Sequence, residues 1–217
     1  MRTVQLPESA LAGIARQLGH PSGPAGRLVG RLLNRGNRGT VSAAAAALPV
    51  PSGAALADLG FGGGVGLDLL LRRLPAEGRV HGVEISSTML SVARRQFRRP
   101  IAQGRLQLHH APLQRLPLAD ASLDGAMTLN TLYFLTDAEL PQALKEVTRV
   151  LAPHGLAVVG VGEPSAMSRL PFTATFCLRP VADLIEALAQ AGLHLREHRR
   201  VGVGDDAYHL LLAAPVP

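Results

Sequence analysis

Residues 58–64 read Asp-Leu-Gly-Phe-Gly-Gly-Gly, and this segment constrains the chain more than any other. It follows the apolar run Ala54–Leu59, which has the length and composition of a strand. It precedes Val65–Leu74, whose apolar spacing suits a helix. Glycine permits a tight turn there and lets the backbone come close to a ligand. A helix that starts on such a turn points free N–H groups and a partial positive charge at whatever rests on the loop. The segment therefore predicts the first half of a β-α-β unit with a ligand at its tip.

The pattern continues in the same alternation. Arg79–Val83 reads as a second strand. Ser86 or Ser87 caps the next helix, which carries Leu90, Ala93, Phe97 and Ile101 on one face. Leu106–His109 and Ala126–Leu129 are the third and fourth strands. Thr136-Asp137-Ala138-Glu139 has the form of a capping box, opening a helix to about Leu151. Pro153, His154 and Gly155 make a turn into a fifth strand, Leu156–Val161. Val181–Ala191 is an amphipathic helix stopped by Gly192. Leu193–Val203 and Tyr208–Ala213, joined by Gly202–Asp206, must then pair antiparallel. Parallel strands need helical crossovers, so helices cover both faces. The expected fold is a Rossmann-like three-layer α/β sandwich. Its sheet is mostly parallel and seven-stranded, with an antiparallel C-terminal pair.

Residues 1–50 read as a helical extension or cap, and residues 51–217 as the main domain. A Gly/Pro-rich break at 19–26 is followed by Arg27, Arg31, Arg35 and Arg38 at helical spacing, with Leu28, Leu32 and Leu33 between them. These arginines suit an ordinary solvated helix face; a basic face for phosphate groups is the alternative. The net charge of +6 invites the same question for the whole chain. Of 22 basic residues only Lys145 is lysine, a bias that fits coding composition better than a binding patch. No separate recognition domain or aromatic platform accompanies the charge, so nucleic acid is not the expected partner. Transient contact with an anionic membrane surface stays open through Arg27–Arg38. Cys177 is the single cysteine, which excludes an intrachain disulfide and reads as a small buried hydrophobe. The N-terminus lacks the apolar core of a signal peptide, and no apolar run approaches the roughly 20 residues of a membrane span. A cytoplasmic protein is expected, and no metal site.

A second acid identifies the ligand class. Glu84 ends the second strand, 24 positions after Gly60. A carboxylate there accepts hydrogen bonds from both hydroxyls of a ribose. The dinucleotide fingerprint G-x-G-x-x-G fails in both registers, since Val65 or Leu67 occupies its third glycine. Asp58, just before the loop, would oppose a pyrophosphate and suits a ligand carrying ammonium and sulfonium charges.

Asp58, Gly60, Gly62, Gly64 and Glu84 together resemble the class I S-adenosylmethionine-dependent methyltransferases. Leu116–Asp124 looks like the stretch that leads into strand four of that family. Glu146–Gly155 looks like its helix-to-strand-five signature. The resemblance covers about residues 54–213 and is strongest to the subgroup that includes ubiquinone and menaquinone biosynthesis enzymes. It implies S-adenosylmethionine as cofactor, S-adenosylhomocysteine as product, and methyl transfer to a small molecule by in-line displacement. The positions it implies against the cofactor are Asp58, Gly60, Phe61, Gly62, Gly64, Glu84, Ile85, Pro112, Leu113 and Asn130. Pro112 departs from the pattern, because the family often has an acid there for the adenine amino group. Backbone near Leu113, or apolar contact, would then hold adenine.

In the resembling family the exit of strand four borders the methyl group. That places Asn130 and Tyr133 as candidate catalytic residues, with Asn130 offering an acceptor to an incoming amine. Tyr133 and Phe134 offer an aromatic wall, or alternatively pack under the cap. Asn-x-x-Tyr echoes the N-P-P-Y motif of amino-group methyltransferases without its prolines. His20, His109, His110 and His154 are conceivable bases, yet none has a carboxylate partner at readable spacing. Glu163 is the acid expected at the mouth. Alternatives are a phospholipid amine methyltransferase at the membrane surface, and a non-catalytic module that binds the cofactor and a protein partner.

Overall fold

The computed structural model describes Gly13, residues 38–202, Gly204 and residues 207–216. His20, Arg27, Arg31 and Arg35 lie outside the described residues. The extension is thus seen only from α1 (Arg38–Ala47), an alanine-rich helix that buries Ala44 and Ala45. Arg73 donates to the carbonyls of Ala45, Ala46 and Leu48 at its end. Carbonyls of a last turn lack their usual partners, and among the described residues only that of Ala45 also receives a backbone N–H, from Leu48 at 3.4 Å, so one arginine both caps α1 and ties it to the domain.

β1 (Ala55–Leu59) leads through the glycine loop into α2 (Val65–Arg73). β2 (Arg79–Glu84) is followed by α3 (Ser87–Gln96) and α4 (Arg98–Ala102). The expected single helix over Ser86–Ile101 is therefore broken at Phe97. Pro100 explains the break, since it lacks an N–H and its ring crowds the carbonyl of Gln96. Ser86 is the cap, its hydroxyl accepting from the N–H of Met89 at 3.2 Å.

β3 (Leu106–His110) and β4 (Leu123–Leu129) complete the first half of the sheet. α5 (Leu140–Val150) starts one turn later than the capping box implied. Glu139 does reach back to Thr136, taking its N–H at 2.9 Å and its hydroxyl at 2.8 Å. β5 runs from Leu151 to Gly162, longer than expected. The predicted turn at 153–155 is a bulge within it, where the ladder to β4 jumps from Leu151 to Leu156. Gly155 is required there, because a Cβ would sit 2.9 Å from the Leu123 carbonyl oxygen.

α6 (Pro164–Met167) is short, and α7 (Val181–Gln190) packs below the final strands β6 (Leu193–Val201) and β7 (Tyr208–Pro215). The order across the sheet is β3-β2-β1-β4-β5-β7-β6. β7 is antiparallel to both of its neighbours, and every other pairing is parallel. Burial explains why β7 lies inside and β6 at the edge. His209–Ala213 is buried on both faces, whereas β6 carries mostly exposed His, Arg and Glu side chains. Charged residues on an edge strand also discourage pairing with another chain.

The two apolar clusters lie on opposite faces of the sheet. One joins Leu144 and Val147 of α5 to Leu184 and Leu188 of α7; the other joins Leu67 and Leu70 of α2 to Leu90 of α3. The two stretches that carried the family resemblance around residues 116 and 146 are one structural unit. Arg149 donates to the carbonyls of Leu116 and Leu118, each at 2.9 Å, while Glu146 accepts from the N–H of Leu116 at 2.8 Å. This anchors the approach to β4. No helix among the described residues is long and apolar enough to cross a membrane.

Candidate functional site

A cavity of about 440 Å³ opens beyond the carboxyl ends of β1, β2, β4 and β5. Open parallel sheets bind their ligands at this place. The glycine loop forms one wall. Gly60 and Gly62 both hold left-handed backbone, with φ of 78° and 49°. A Cβ on Gly60 would lie 2.5 Å from the hydroxyl of Thr131, so glycine is obligatory. A Cβ on Gly62 would meet nothing within 4 Å, so the bare backbone faces open space that a ligand can occupy.

Glu84 organises this wall. Its carboxylate accepts the N–H of Gly62 and the N–H of Ser86, both at 2.9 Å, and it still lines the cavity. Asp58 lies beside it, 4% exposed. Burial, then the nearby Glu84 charge, push the Asp58 carboxyl up to about 8. Gly66 makes room for it, since a Cβ there would fall 2.1 Å from Asp58 Oδ2. Sequence reading missed Gly66, whose need for no side chain appears only once α2 is laid on β1. Phe61, Ile85, Pro112 and Leu113 also line the cavity. Gly64 does not: it starts α2 at φ 82°, and its Cβ position faces Phe97 at 3.0 Å. Its place in the motif answers to helix packing rather than to the ligand.

The opposite wall comes from the exits of β4 and β5. Asn130 adopts φ 57°, and its Oδ1 accepts from the Tyr208 hydroxyl at 3.1 Å. The oxygen expected to meet an incoming amine is thus already engaged, a contact that no sequence spacing reveals across 78 residues. Tyr133 lines the cavity and is also packed, being 4% exposed. Its hydroxyl bonds to the backbone of Gly162, and its ring stacks on Phe176 at 5.8 Å. Burial pushes that hydroxyl up to about 12, so it stays protonated at neutral pH. Phe134 meets Phe176 edge-on at 4.8 Å.

The histidines lie elsewhere; none of the described ones lines the cavity. His109 is 3.2 Å from His81, and burial lowers both, His81 to about 4. His110 Nε2 is 2.8 Å from the carbonyl oxygen of Ile85. Carboxylate partners do exist: Asp124 lies 2.9 Å from His154, and Glu163 lies 2.9 Å from His209. Glu163 does not line the cavity and is engaged by His209 instead. Its hydrogen bond with His209 holds its carboxyl below the ordinary range. Cys177 is half-buried rather than buried, and its N–H donates to the carbonyl of Tyr133 at 2.8 Å. His194 and His198 stand four apart, a spacing that could join two metal ligands on a helix. They lie on β6, where four residues span roughly 13 Å.

A parallel sheet that ends antiparallel, with an acid and glycine loop on β1 and a second acid at the tip of β2, defines the class. The arrangement is similar to that of class I methyltransferase domains, whose cofactor is S-adenosylmethionine. Residues 56–155 match the family model described as a methyltransferase domain. An uncharacterized 37.1 kDa protein in a transposon of Streptomyces fradiae is 36% identical over 114 residues, 52% of this chain and 32% of that one. The malonyl-[acyl-carrier protein] O-methyltransferase of Halorhodospira halophila is 32% identical over 145 residues, 65% of this chain and 41% of that one. A SAM-dependent methyltransferase of Aquifex aeolicus superposes with a TM-score of 0.66 at 17% identity, over 98% of this chain and 100% of that one. The chain spans about a fifth to a half of the length of the curated relatives it matches.

Proposed function

We propose that this chain transfers the methyl group of S-adenosylmethionine to a small-molecule acceptor by in-line displacement. The observation that carries the reading is the pairing of Asp58 and Glu84 on one cavity wall, with Glu84 locked by the Gly62 and Ser86 N–H groups. The residues present fit the cofactor. Glu84 receives the ribose hydroxyls, Asp58 and the Gly60–Gly62 backbone receive the cationic amino-acid end, and Ile85, Pro112 and Leu113 bracket the adenine. Bound there, the cofactor supplies an electrophilic methyl group on a sulfonium.

What the chain's own residues contribute is position and exclusion of water. Asn130, held by Tyr208, and the packed ring of Tyr133 shape the side from which the acceptor approaches. Fixing two reactants at contact distance supplies a large part of the rate in such a displacement. An acceptor that arrives as a neutral amine or a thiol needs little help from a base. The alternative of a phospholipid amine acceptor rests on Arg27–Arg38, all but its last residue outside the described residues. Liposome flotation with anionic lipid at low salt tests it, and absence of binding removes it.

Titration calorimetry with S-adenosylmethionine, S-adenosylhomocysteine and NAD tests the main reading. Tight binding of the first two, lost in Glu84→Ala, is expected. Binding of NAD without the adenosyl compounds would overturn it.

A further inference from the structure

The chain contains five phenylalanines, two tyrosines and no tryptophan. Its core is filled almost entirely by Leu, Val, Ala and Met. Six of the seven aromatic side chains nevertheless line one cavity: Phe61, Tyr133, Phe134, Phe172, Phe176 and Tyr208. Only Phe97 stands apart, packed at Gly64. Tyr133 and Phe176 pack in one apolar cluster, and Phe61 and Tyr208 in the other, yet all four also reach the cavity, where Phe134 and Phe172 join them.

The rings are arranged as well as gathered. Tyr133 and Phe176 lie nearly parallel, at 14° and 5.8 Å, and Phe134 meets Phe176 at 71°. Phe134, Phe172 and Phe176 are half-buried, so part of each ring remains uncovered. Phe172 and Phe176 belong to the stretch after β5, which is tied over the exit of β4. Arg179 donates to the carbonyls of Leu132 and Leu135 at 3.2 and 2.7 Å, and Cys177 to that of Tyr133.

Charge narrows the occupant. Asp58, Glu84 and Glu139 line the cavity, while no Lys, Arg or His does among the described residues. An anionic acceptor would meet repulsion from these carboxylates and no basic side chain among the described residues of the lining. A cationic acceptor at the ring end would fare little better. Glu139 already accepts the N–H and hydroxyl of Thr136, and Asp58 and Glu84 lie at the loop. Ring faces alone do not replace the hydration of an ammonium group. An uncharged flat ring loses little hydration there and gains offset stacking and edge contacts.

We infer that the acceptor is an uncharged, planar aromatic molecule held by Phe134, Phe172 and Phe176. The inference rests on the methyltransferase reading and adds the class of acceptor to it. The protein lacks tryptophan, so the fluorescence of a naphthol probe is readable against a weak background. The experiment uses the full chain saturated with S-adenosylhomocysteine, whose binding is first established by calorimetry. It compares 2-naphthol, its saturated analogue 2-decalol, 2-naphthoate and 1-naphthylmethylammonium. Naphthol should bind at least about tenfold more tightly than each of the others. Phe176→Leu should weaken naphthol about tenfold and change S-adenosylhomocysteine affinity by less than about twofold, which also shows that the variant folds. Equal binding of decalol, tighter binding of the ammonium or the carboxylate, or no naphthol binding to the loaded protein would each overturn the inference. Failure of S-adenosylhomocysteine to bind at all would instead overturn the reading beneath it.

Discussion

Lowering the pH from 7.5 to 6.0 should weaken S-adenosylhomocysteine binding about 25-fold, through Asp58 alone. Burial and the Glu84 charge raise the Asp58 carboxyl to about 8 in the free protein, so at pH 7 it is mostly protonated. A bound ammonium favours the ionised form, so binding must expel that proton. With the free value near 8 and the bound value below 6, affinity falls with the ratio of the ionised fraction of Asp58 in the free protein at the two pH values. That ratio is about 25, or about 2 kcal/mol at 1.36 kcal/mol per tenfold step. At pH 7 about 0.9 proton should be released per ligand bound. Calorimetry in two buffers of different ionisation enthalpy reads that number directly. No histidine lines the cavity among the described residues, so none there supplies a competing titration over this range. Asp58→Asn should bind more weakly at pH 7.5 and show a flat profile down to 6.0. Zero proton release in the wild type, or the same slope in Asp58→Asn, would refute the argument.

The same carboxyl bears on stability. A carboxyl raised in the folded state binds its proton on folding between about pH 4 and 8, so the free protein loses stability as pH rises through that window. Asp58→Asn should therefore match the wild type near pH 4 and exceed it by on the order of 4 kcal/mol at pH 7, read from chemical denaturation. Gly66→Ala forces a Cβ against Asp58 Oδ2 and to 2.3 Å from the Met127 methyl, and should cost about 2–3 kcal/mol together with ligand binding. Arg149→Ala removes the bonds to Leu116 and Leu118 and should lower stability by about 2–4 kcal/mol, while the folded protein keeps its affinity for S-adenosylhomocysteine. Tyr208→Phe releases Asn130 Oδ1; an approximately tenfold loss in kcat with cofactor affinity kept is expected, and unchanged turnover would separate Asn130 from the reaction.

Local chemistry determined a good deal of this protein. The glycine loop, the Ser86 cap and the Gly192 stop act within a few residues, so strand and helix order from β1 to β7 was readable from the chain itself. So were the two acids, because a β-α-β unit brings the tips of consecutive parallel strands together at a regular spacing. Other features depended on distant partners. The place of β7 between β5 and β6 was decided by which hairpin strand could be buried on both faces. Pro100 broke a helix whose apolar pattern alone looked continuous, whereas residues 153–155, read as a turn, lie inside β5 as a bulge. Gly64 left the cavity because Phe97 fills the space beside it, whereas Gly66 is required by a carboxylate on another strand. The pairs Tyr208–Asn130, His209–Glu163 and His154–Asp124 join positions 78, 46 and 30 residues apart. Phe172 and Phe176 carry no motif at all. They reach the cavity because the segment after β5 folds back over the exit of β4. Periodicity and spacing describe neighbours along one element, whereas a cavity wall is assembled from several elements, and only their packing brings these aromatic side chains together.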